Sequence, residues 1–132
     1  MSTVRRADVT WKGDLKTGSG VVTATSSGTF NDLPVSWASR TESPDGRTSP
    51  EELVAAAHAA CYCMALSAGL SGAGTPPESL EVSASVTFAQ VDGGWKVTSS
   101  ALTVVGRVPG IDKAGFQKAA EGAKDGCPIS GA

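Results

Sequence analysis

The chain has 132 residues, of which 40% are hydrophobic and 18% are charged, and its formal net charge is −2. This length fits one domain, residues 1–132, with a modest core, and the absence of a Lys/Arg run argues against nucleic acid as a partner. We expect no apolar run to reach the roughly 18 residues of a membrane span. Residues 1–8 lack the apolar core of a signal peptide, so we expect a cytoplasmic protein.

The first third of the chain predicts three strands followed by a loop. Loose alternation and β-branched residues place these strands at 4–11, 20–25 and 33–39. Residues 41–49 contain Pro44 and Gly46, which are typical of a loop.

A long helix is predicted to begin after this loop. Ser49, Pro50 and Glu52 have the pattern of a capping box, in which the Ser49 hydroxyl accepts the backbone N–H near Glu52 and the Glu52 carboxylate accepts the N–H of Ser49. From Leu53 to about Leu70 the chain carries almost no charge. A helix without a charged face should be buried on most sides.

The second half of the chain predicts a hairpin and a shorter helix. Two strands, 80–90 and 95–108, flank a turn at Asp92–Gly94. Asp112 can cap a helix over 113–124, with Gly126 just past its end. The order of elements indicates an α+β fold with an antiparallel sheet.

Cys61 and Cys127 are the residues most suggestive of chemistry, because one thiol in mid-helix and a second at a distant corner suit a redox pair. The apolar neighbours of Cys61 would raise its pKa, so a reactive Cys61 needs a cation from elsewhere in the fold. The alternative is that Cys61 is a small buried hydrophobe. Pro128 favours an extended conformation for Cys127. Cys63 points about 200° away from Cys61 on the helix and is interpreted as structural.

His58 and two arginines are the other candidates. His58 lies three residues before Cys61, where it can form a Cys–His pair or be a neutral helix histidine that binds the backbone or faces a groove. Arg40 ends a predicted apolar strand and needs an anionic partner, for which a thiolate or Glu51 would serve. Arg47 lies in the polar loop and is expected to be solvated, which modestly favours Arg40.

Several motifs together resemble the OsmC/Ohr hydroperoxide-resistance family, most closely its OsmC branch, from about Trp11 to Ser130. The two cysteine motifs are specific in combination. The matching segments are Trp11-Lys12-Gly13-Asp14, Ser49-Pro50-Glu51-Glu52-Leu53, His58-Ala59-Ala60-Cys61, Met64-Ala65-Leu66, Val108-Pro109-Gly110-Ile111-Asp112 and Gly126-Cys127-Pro128-Ile129-Ser130.

The resemblance implies a cysteine-based peroxidase that reduces organic hydroperoxides to alcohols without a metal or organic cofactor. It implies an antiparallel sheet packed on a long central helix and a second shorter helix, in an intertwined homodimer with active sites at the subunit interface. Cys61 then matches the family's peroxidatic cysteine and Cys127 its resolving cysteine. Glu51 matches the family glutamate and Arg40 the arginine of the OsmC branch.

The resemblance further implies a dithiol reductant, notably of the lipoyl type. Relatives usually continue past the second cysteine motif into a further strand, whereas this chain stops at Ala132, so we expect that strand to be absent.

Other functions are compatible with the same residues. His58, Cys61 and Cys127 could supply three ligands to zinc. The α+β shell could instead bind a small lipid-like ligand, with the thiols idle. A Cys–His acyl-transfer enzyme is the third alternative, although no oxyanion-hole motif is evident.

Overall fold

The computed structural model of the chain describes all residues, 1–132. They form two compact units, 1–53 and 54–132, so the expectation of one domain stays a prediction. Runs of strands are followed by runs of helices, as is typical of an α+β fold. In chain order the elements are β1 (Ala7–Lys12), β2 (Ser19–Thr25), β3 (Leu33–Val35), α1 (Trp37–Thr41), α2 (Pro50–Gly72), β4 (Ser79–Val91), β5 (Gly94–Arg107), α3 (Lys113–Gly126) and α4 (Pro128–Gly131).

An antiparallel sheet in the order β1-β2-β3 forms the first unit. β1 and β2 confirm the first two predicted strands, although β1 begins three residues later than expected. Gly20 on β2 lies against the indole of Trp11, because a Cβ added at Gly20 would lie 2.6 Å from the ring. The sheet therefore requires glycine at this position.

The third predicted strand is wrong from Trp37 onward, where α1 begins. Ser36 caps this short helix: the Ser39 N–H donates to Ser36 Oγ and the Ser36 N–H donates to Ser39 Oγ, both at 3.0 Å. Such local bonds offer the backbone an alternative to a strand ladder. Arg40 therefore lies on a helix and does not end a strand.

The long helix α2 confirms the prediction of a central helix, but its start differs in detail. The Glu52 N–H donates to Ser49 Oγ at 3.1 Å, as expected. The Glu52 carboxylate instead accepts the Thr48 hydroxyl at 2.8 Å, so the reciprocal half of the predicted capping box is not formed.

The burial of α2 follows one stripe of residues four positions apart. His58, Tyr62, Leu66 and Leu70 are buried, as one face of a helix requires. Met64 on another side is 72% exposed, so the expectation of burial on most sides is wrong for the single chain. The expectation of no membrane-length apolar run is also wrong, because α2 is long and apolar enough by composition to span a bilayer. Core helices of soluble proteins can meet the same criterion.

The second unit contains the antiparallel hairpin of β4 and β5. Asp92 and Gly93 have φ values of 50° and 79°, as in the tight hairpin turn predicted from these residues. Partly buried residues of both strands and of α3 pack on the core that includes the buried stripe of α2. They include Leu80 and Val82 of β4, Leu102 and Val104 of β5, and Phe116 of α3.

Helix α3 begins at its predicted cap, where the Gly115 N–H donates to Asp112 Oδ1 at 2.7 Å. It includes Gly126 and so ends two residues later than expected. Cys127 has the expected extended backbone, with φ −90° and ψ 112°. The short helix α4 that follows was not predicted.

Candidate active site

Two sulfur atoms from distant parts of the chain meet in the second unit. Cys61 lies about three turns into α2 and Cys127 at the corner between α3 and α4, and their Sγ atoms are 3.0 Å apart. Both are free thiols; Cys127 is 2% exposed and Cys61 is half-buried. Because a disulfide bond is about 2.05 Å long, the sulfurs need to approach by only about 1 Å when an oxidant removes the two electrons and two protons.

Polar groups around Cys127 favour its thiolate. Burial pushes the pKa of Cys127 upward, but hydrogen bonds from the Ser130 hydroxyl, the Cys61 thiol and the backbone N–H groups of Ser130 and Ile129 outweigh it. The pKa of Cys127 therefore lies below its ordinary value.

The opposite holds for Cys61. Its hydrogen bond with Cys127 raises the pKa of Cys61, and the backbone N–H of Ile129 offsets this only in part. Two thiols in contact lose their protons one after the other, and the second proton is the harder to remove. Cys61, the more exposed sulfur, is thus the weaker acid within the chain. Burial among apolar neighbours, the predicted cause, raises the pKa of Cys61 less than the hydrogen bond with Cys127 does.

Arg40 and Glu51 form a two-point ion pair in the first unit. Arg40 Nε lies 2.9 Å from Glu51 Oε1, and the second bond, from Nη2 to Oε2, is also 2.9 Å. Glu51 is 8% exposed, and the guanidinium lies 6.0 Å from the centre of the Trp37 ring. Two parallel bonds fix the plane of the guanidinium. Arg47 is exposed in the loop, as predicted.

His58 does not form the Cys–His pair that was one of its predicted alternatives. Its Nδ1 lies 2.6 Å from Ser100 Oγ and its Nε2 lies 2.8 Å from Ser130 Oγ. The ring is 8% exposed and faces a groove of about 540 Å³, which agrees with the other alternative. Sequence reasoning missed both serines, because they lie 42 and 72 residues from His58 along the chain. Ser130 ends the Gly126-Cys127-Pro128-Ile129-Ser130 motif, but the motif alone does not indicate a contact with His58.

The arrangement of the side chains does not support the zinc alternative. Both nitrogens of His58 bind hydroxyl groups, and no three His, Cys, Asp or Glu side chains are placed to hold a metal ion. Cys63 is a half-buried free thiol outside the sulfur pair. A groove of about 790 Å³ between α2 and α3 is the feature that a small-ligand module would need, and it is lined mainly by small and apolar residues.

Comparison with known proteins assigns this chain to one family. The family model described as OsmC-like protein matches residues 43–132. The chain belongs to this OsmC-like family, which confirms the resemblance drawn from its motifs.

Particular relatives extend the match to nearly the whole chain. The chain is 43% identical over 130 residues to Peroxiredoxin OsmC of Escherichia coli strain K12, covering 98% of this chain and 90% of that protein. The same values hold for Peroxiredoxin OsmC of Shigella flexneri.

Solved structures agree on the fold. The organic hydroperoxide resistance protein OhrB of Bacillus subtilis is 25% identical with a TM-score of 0.68, over 96% of this chain and 88% of that one. An OsmC-like protein of unknown function from Vibrio cholerae is 18% identical with a TM-score of 0.74, over 98% and 93% of the two chains.

Proposed function

We propose that this protein is a thiol peroxidase that reduces organic hydroperoxides to alcohols, with Cys61 as the peroxidatic and Cys127 as the resolving cysteine. The observation that carries the proposal is the 3.0 Å separation of the two sulfurs. It is supported by the 43% identity to proteins named Peroxiredoxin OsmC and by the similarity to an organic hydroperoxide resistance protein.

The order of the two cysteines follows from their exposure. A hydroperoxide must touch the sulfur that attacks it, and Cys61 is half-buried whereas Cys127 is 2% exposed. Cys127 needs to reach only the sulfur beside it, so burial does not prevent it from acting as the resolving thiol.

The reaction proceeds through a sulfenic acid and a disulfide. The Cys61 thiolate attacks the distal peroxide oxygen, the O–O bond breaks, and the alkoxide leaves and takes a proton to become the alcohol. Cys127 then attacks the sulfur of the Cys61 sulfenic acid, which releases water and forms the disulfide. An external dithiol, of the lipoyl type that the resemblance implies, reduces this disulfide and is itself oxidised to a disulfide.

Activation of Cys61 is assigned to Arg40. The pKa of Cys61 is raised by its hydrogen bond with Cys127, so the attacking thiolate needs a positive charge beside it. The Arg40 guanidinium, which Glu51 orients through two bonds, supplies this charge in the active assembly. No metal or organic cofactor takes part.

The active assembly is an intertwined homodimer, and the compartment is the cytoplasm. In the single chain, α2 leaves large apolar side chains uncovered, Met64 at 72% and Val54 at 44% exposure. A second copy of the chain that covers this surface would remove it from water.

Three cysteine variants test the proposal in an assay that follows consumption of cumene hydroperoxide with excess dihydrolipoamide. Cys61→Ser is expected to abolish turnover, because it lacks the nucleophile. Cys127→Ser is expected to reduce about one equivalent of peroxide and then stop. Cys63→Ser, the matched control, is expected to turn over like the unaltered protein.

Two outcomes would contradict the assignment. Turnover retained by Cys61→Ser would remove Cys61 from the mechanism. Undiminished recycling by Cys127→Ser would show that another group, or the reductant itself, resolves the sulfenic acid.

A further inference from the structure

Two hydrogen bonds of His58 join the β hairpin to Ser130, which lies beside the second thiol in the chain. Ser100 Oγ lies 2.6 Å from His58 Nδ1, and His58 Nε2 lies 2.8 Å from Ser130 Oγ. Ser130 lies three residues after Cys127, in the short helix α4 that Cys127 precedes, and its hydroxyl is among the groups that lower the pKa of Cys127. The imidazole of His58 is 8% exposed and Cys127 is 2% exposed, so both are largely buried. The catalytic cycle described above gives His58 no role.

This line of groups can carry a proton. A neutral imidazole has one N–H donor and one acceptor nitrogen. When Nδ1 carries the proton and donates to Ser100, Nε2 accepts the Ser130 hydroxyl, whose oxygen can accept the Cys127 thiol. When Nε2 carries a proton, it donates to Ser130, and the Ser130 hydroxyl donates to the Cys127 sulfur. The first arrangement suits a thiol at Cys127 and the second suits a thiolate.

We propose that His58, acting through the Ser130 hydroxyl, accepts the proton of the Cys127 thiol and so prepares Cys127 for the resolving step. This inference rests on the proposed function, because it assigns a partner to the resolving cysteine. His58 and Ser130 are positioning residues here: neither touches the hydroperoxide, and both act through Cys127.

The protons and electrons of this step balance. The Cys127 thiol gives its proton to Ser130 Oγ as Ser130 gives its own proton to His58 Nε2, which leaves a thiolate, an intact hydroxyl and an imidazolium. The thiolate then forms the S–S bond with Cys61 as the S–O bond of the sulfenic acid breaks. The departing hydroxide takes up one proton, supplied by the imidazolium, and leaves as water.

The groups around the ring are compatible with this role. Beside His58, the groove of about 540 Å³ is lined by Glu121 and Lys124 of α3, which are its charged groups. The facing strand β5 contributes the neutral Ser100, and the Tyr62 hydroxyl donates to the Ala120 carbonyl at 2.6 Å. The groove gives the imidazolium a route by which its proton can exchange with solvent.

Rapid-mixing kinetics separate the two chemical steps. One equivalent of cumene hydroperoxide is added to the reduced protein, and peroxide loss and disulfide formation are followed over a range of pH. Ser130→Ala is expected to slow disulfide formation by about 100-fold, the lower end of the 10²–10⁴-fold that a positioned base typically contributes. Peroxide loss is expected to change much less. The dependence of disulfide formation on pH should move to higher pH, because Cys127 loses a bond that favours its thiolate.

Matched variants test whether the Ser130 hydroxyl is what speeds disulfide formation. Ser130→Thr retains a hydroxyl and is expected to restore most of the rate. Ser99→Ala removes an exposed hydroxyl next to Ser100 and is expected to have no effect. His58→Gln should slow disulfide formation like Ser130→Ala, and the double variant should be no slower than the slower single variant, because the two residues act in one path.

A titration checks the inference without any peroxide chemistry. In a Cys61→Ser, Cys63→Ser background, Cys127 is the one remaining thiol, and its ionisation is followed by the ultraviolet absorbance of the thiolate. Adding Ser130→Ala is expected to raise the pKa of Cys127, and Ser130→Thr is expected to leave it lower than Ser130→Ala does.

The two proposals fail in different ways. If the unaltered protein forms no disulfide between Cys61 and Cys127, the proposed function fails. If it forms that disulfide, but Ser130→Ala and His58→Gln form it at the same rate and with the same pH dependence, the relay alone is overturned. An unchanged Cys127 titration in Ser130→Ala would overturn it as well.

Discussion

At the scale of single residues, the central feature is that the more exposed of the two thiols is the weaker acid. Cys61 is the more exposed sulfur, yet its hydrogen bond with Cys127 raises its pKa, while the Ser130 hydroxyl and the Cys61 thiol help to lower the pKa of the buried Cys127. A peroxidase that attacks with Cys61 must reverse this order at the moment of attack. A guanidinium beside Cys61 does so by favouring its thiolate.

Removing the guanidinium should therefore make Cys61 a weaker acid. In a background where Cys61 is the one thiol, Arg40→Ala is expected to raise the pKa of Cys61, and each unit corresponds to about 1.4 kcal/mol. Arg40→Lys should recover only part of the effect, because an ammonium group cannot form the two parallel bonds to Glu51. Thiolate absorbance against pH measures the change.

Arg47→Ala is the control for this titration, because Arg47 is exposed in the neighbouring loop. The Cys61 thiol of the Arg47→Ala variant should have the same pKa as in the protein that keeps both arginines. If Arg40→Ala left the curve where it was and Arg47→Ala moved it, the activating charge would belong to Arg47.

At the scale of elements, local patterns predicted most of the fold. The hairpin turn, the cap at Asp112 and the long apolar helix each depend on residues close together in sequence, and each is present. The third strand was extended too far because apolar alternation does not reveal the mutual bonds of Ser36 and Ser39.

The site was predictable only in part, because most of its contacts join residues that are far apart in sequence. Arg40 and Glu51 lie 11 residues apart and could be paired by charge. Cys61 and Cys127 lie 66 residues apart, and the residues alone gave no distance between them. The serines that bind His58 lie 42 and 72 residues from it and carry no charge or periodicity, so the sequence gives no signal for these contacts.

The packing of α3 on the hairpin gives a prediction at this scale. A Cβ at Gly106 of β5 would lie 2.6 Å from Phe116 Cε2 of α3, so the ring must shift to admit it. Gly106→Ala is expected to lower the free energy of unfolding by about 1–3 kcal/mol, as overpacked core positions do. Urea denaturation measures this change.

Gly122 of α3 provides the matched control, since an added Cβ there meets no atom within 4 Å. Gly122→Ala is expected to raise the free energy of unfolding by roughly 0.5–1 kcal/mol, because alanine favours the helix. Equal effects of the two substitutions would contradict the close packing of Phe116 against Gly106.

At the scale of the whole molecule, the single chain leaves apolar side chains in water. Met64 on α2 is 72% exposed, and Val105 and Val97 on β5 are 59% and 52% exposed. Monomeric proteins rarely expose large contiguous apolar patches, so a partner surface is expected for α2. We propose that a second copy of the chain supplies it.

A charge placed on this surface should weaken the assembly. Met64→Glu is expected to shift the protein from dimer to monomer in sedimentation experiments and to lower peroxide reduction, because a buried unpaired carboxylate is costly. Met64→Leu keeps the surface apolar and should remain dimeric and active. A parent protein that sediments as a fully active monomer would contradict the dimer.

The most direct test of the whole account is the fate of the three thiols after one equivalent of cumene hydroperoxide. Peptide mapping by mass spectrometry is expected to find one intramolecular disulfide between Cys61 and Cys127, with Cys63 still reduced and one equivalent of the alcohol released. Thiols that stay reduced, or a disulfide that includes Cys63, would contradict the assignment of the sulfur pair as the reacting centre.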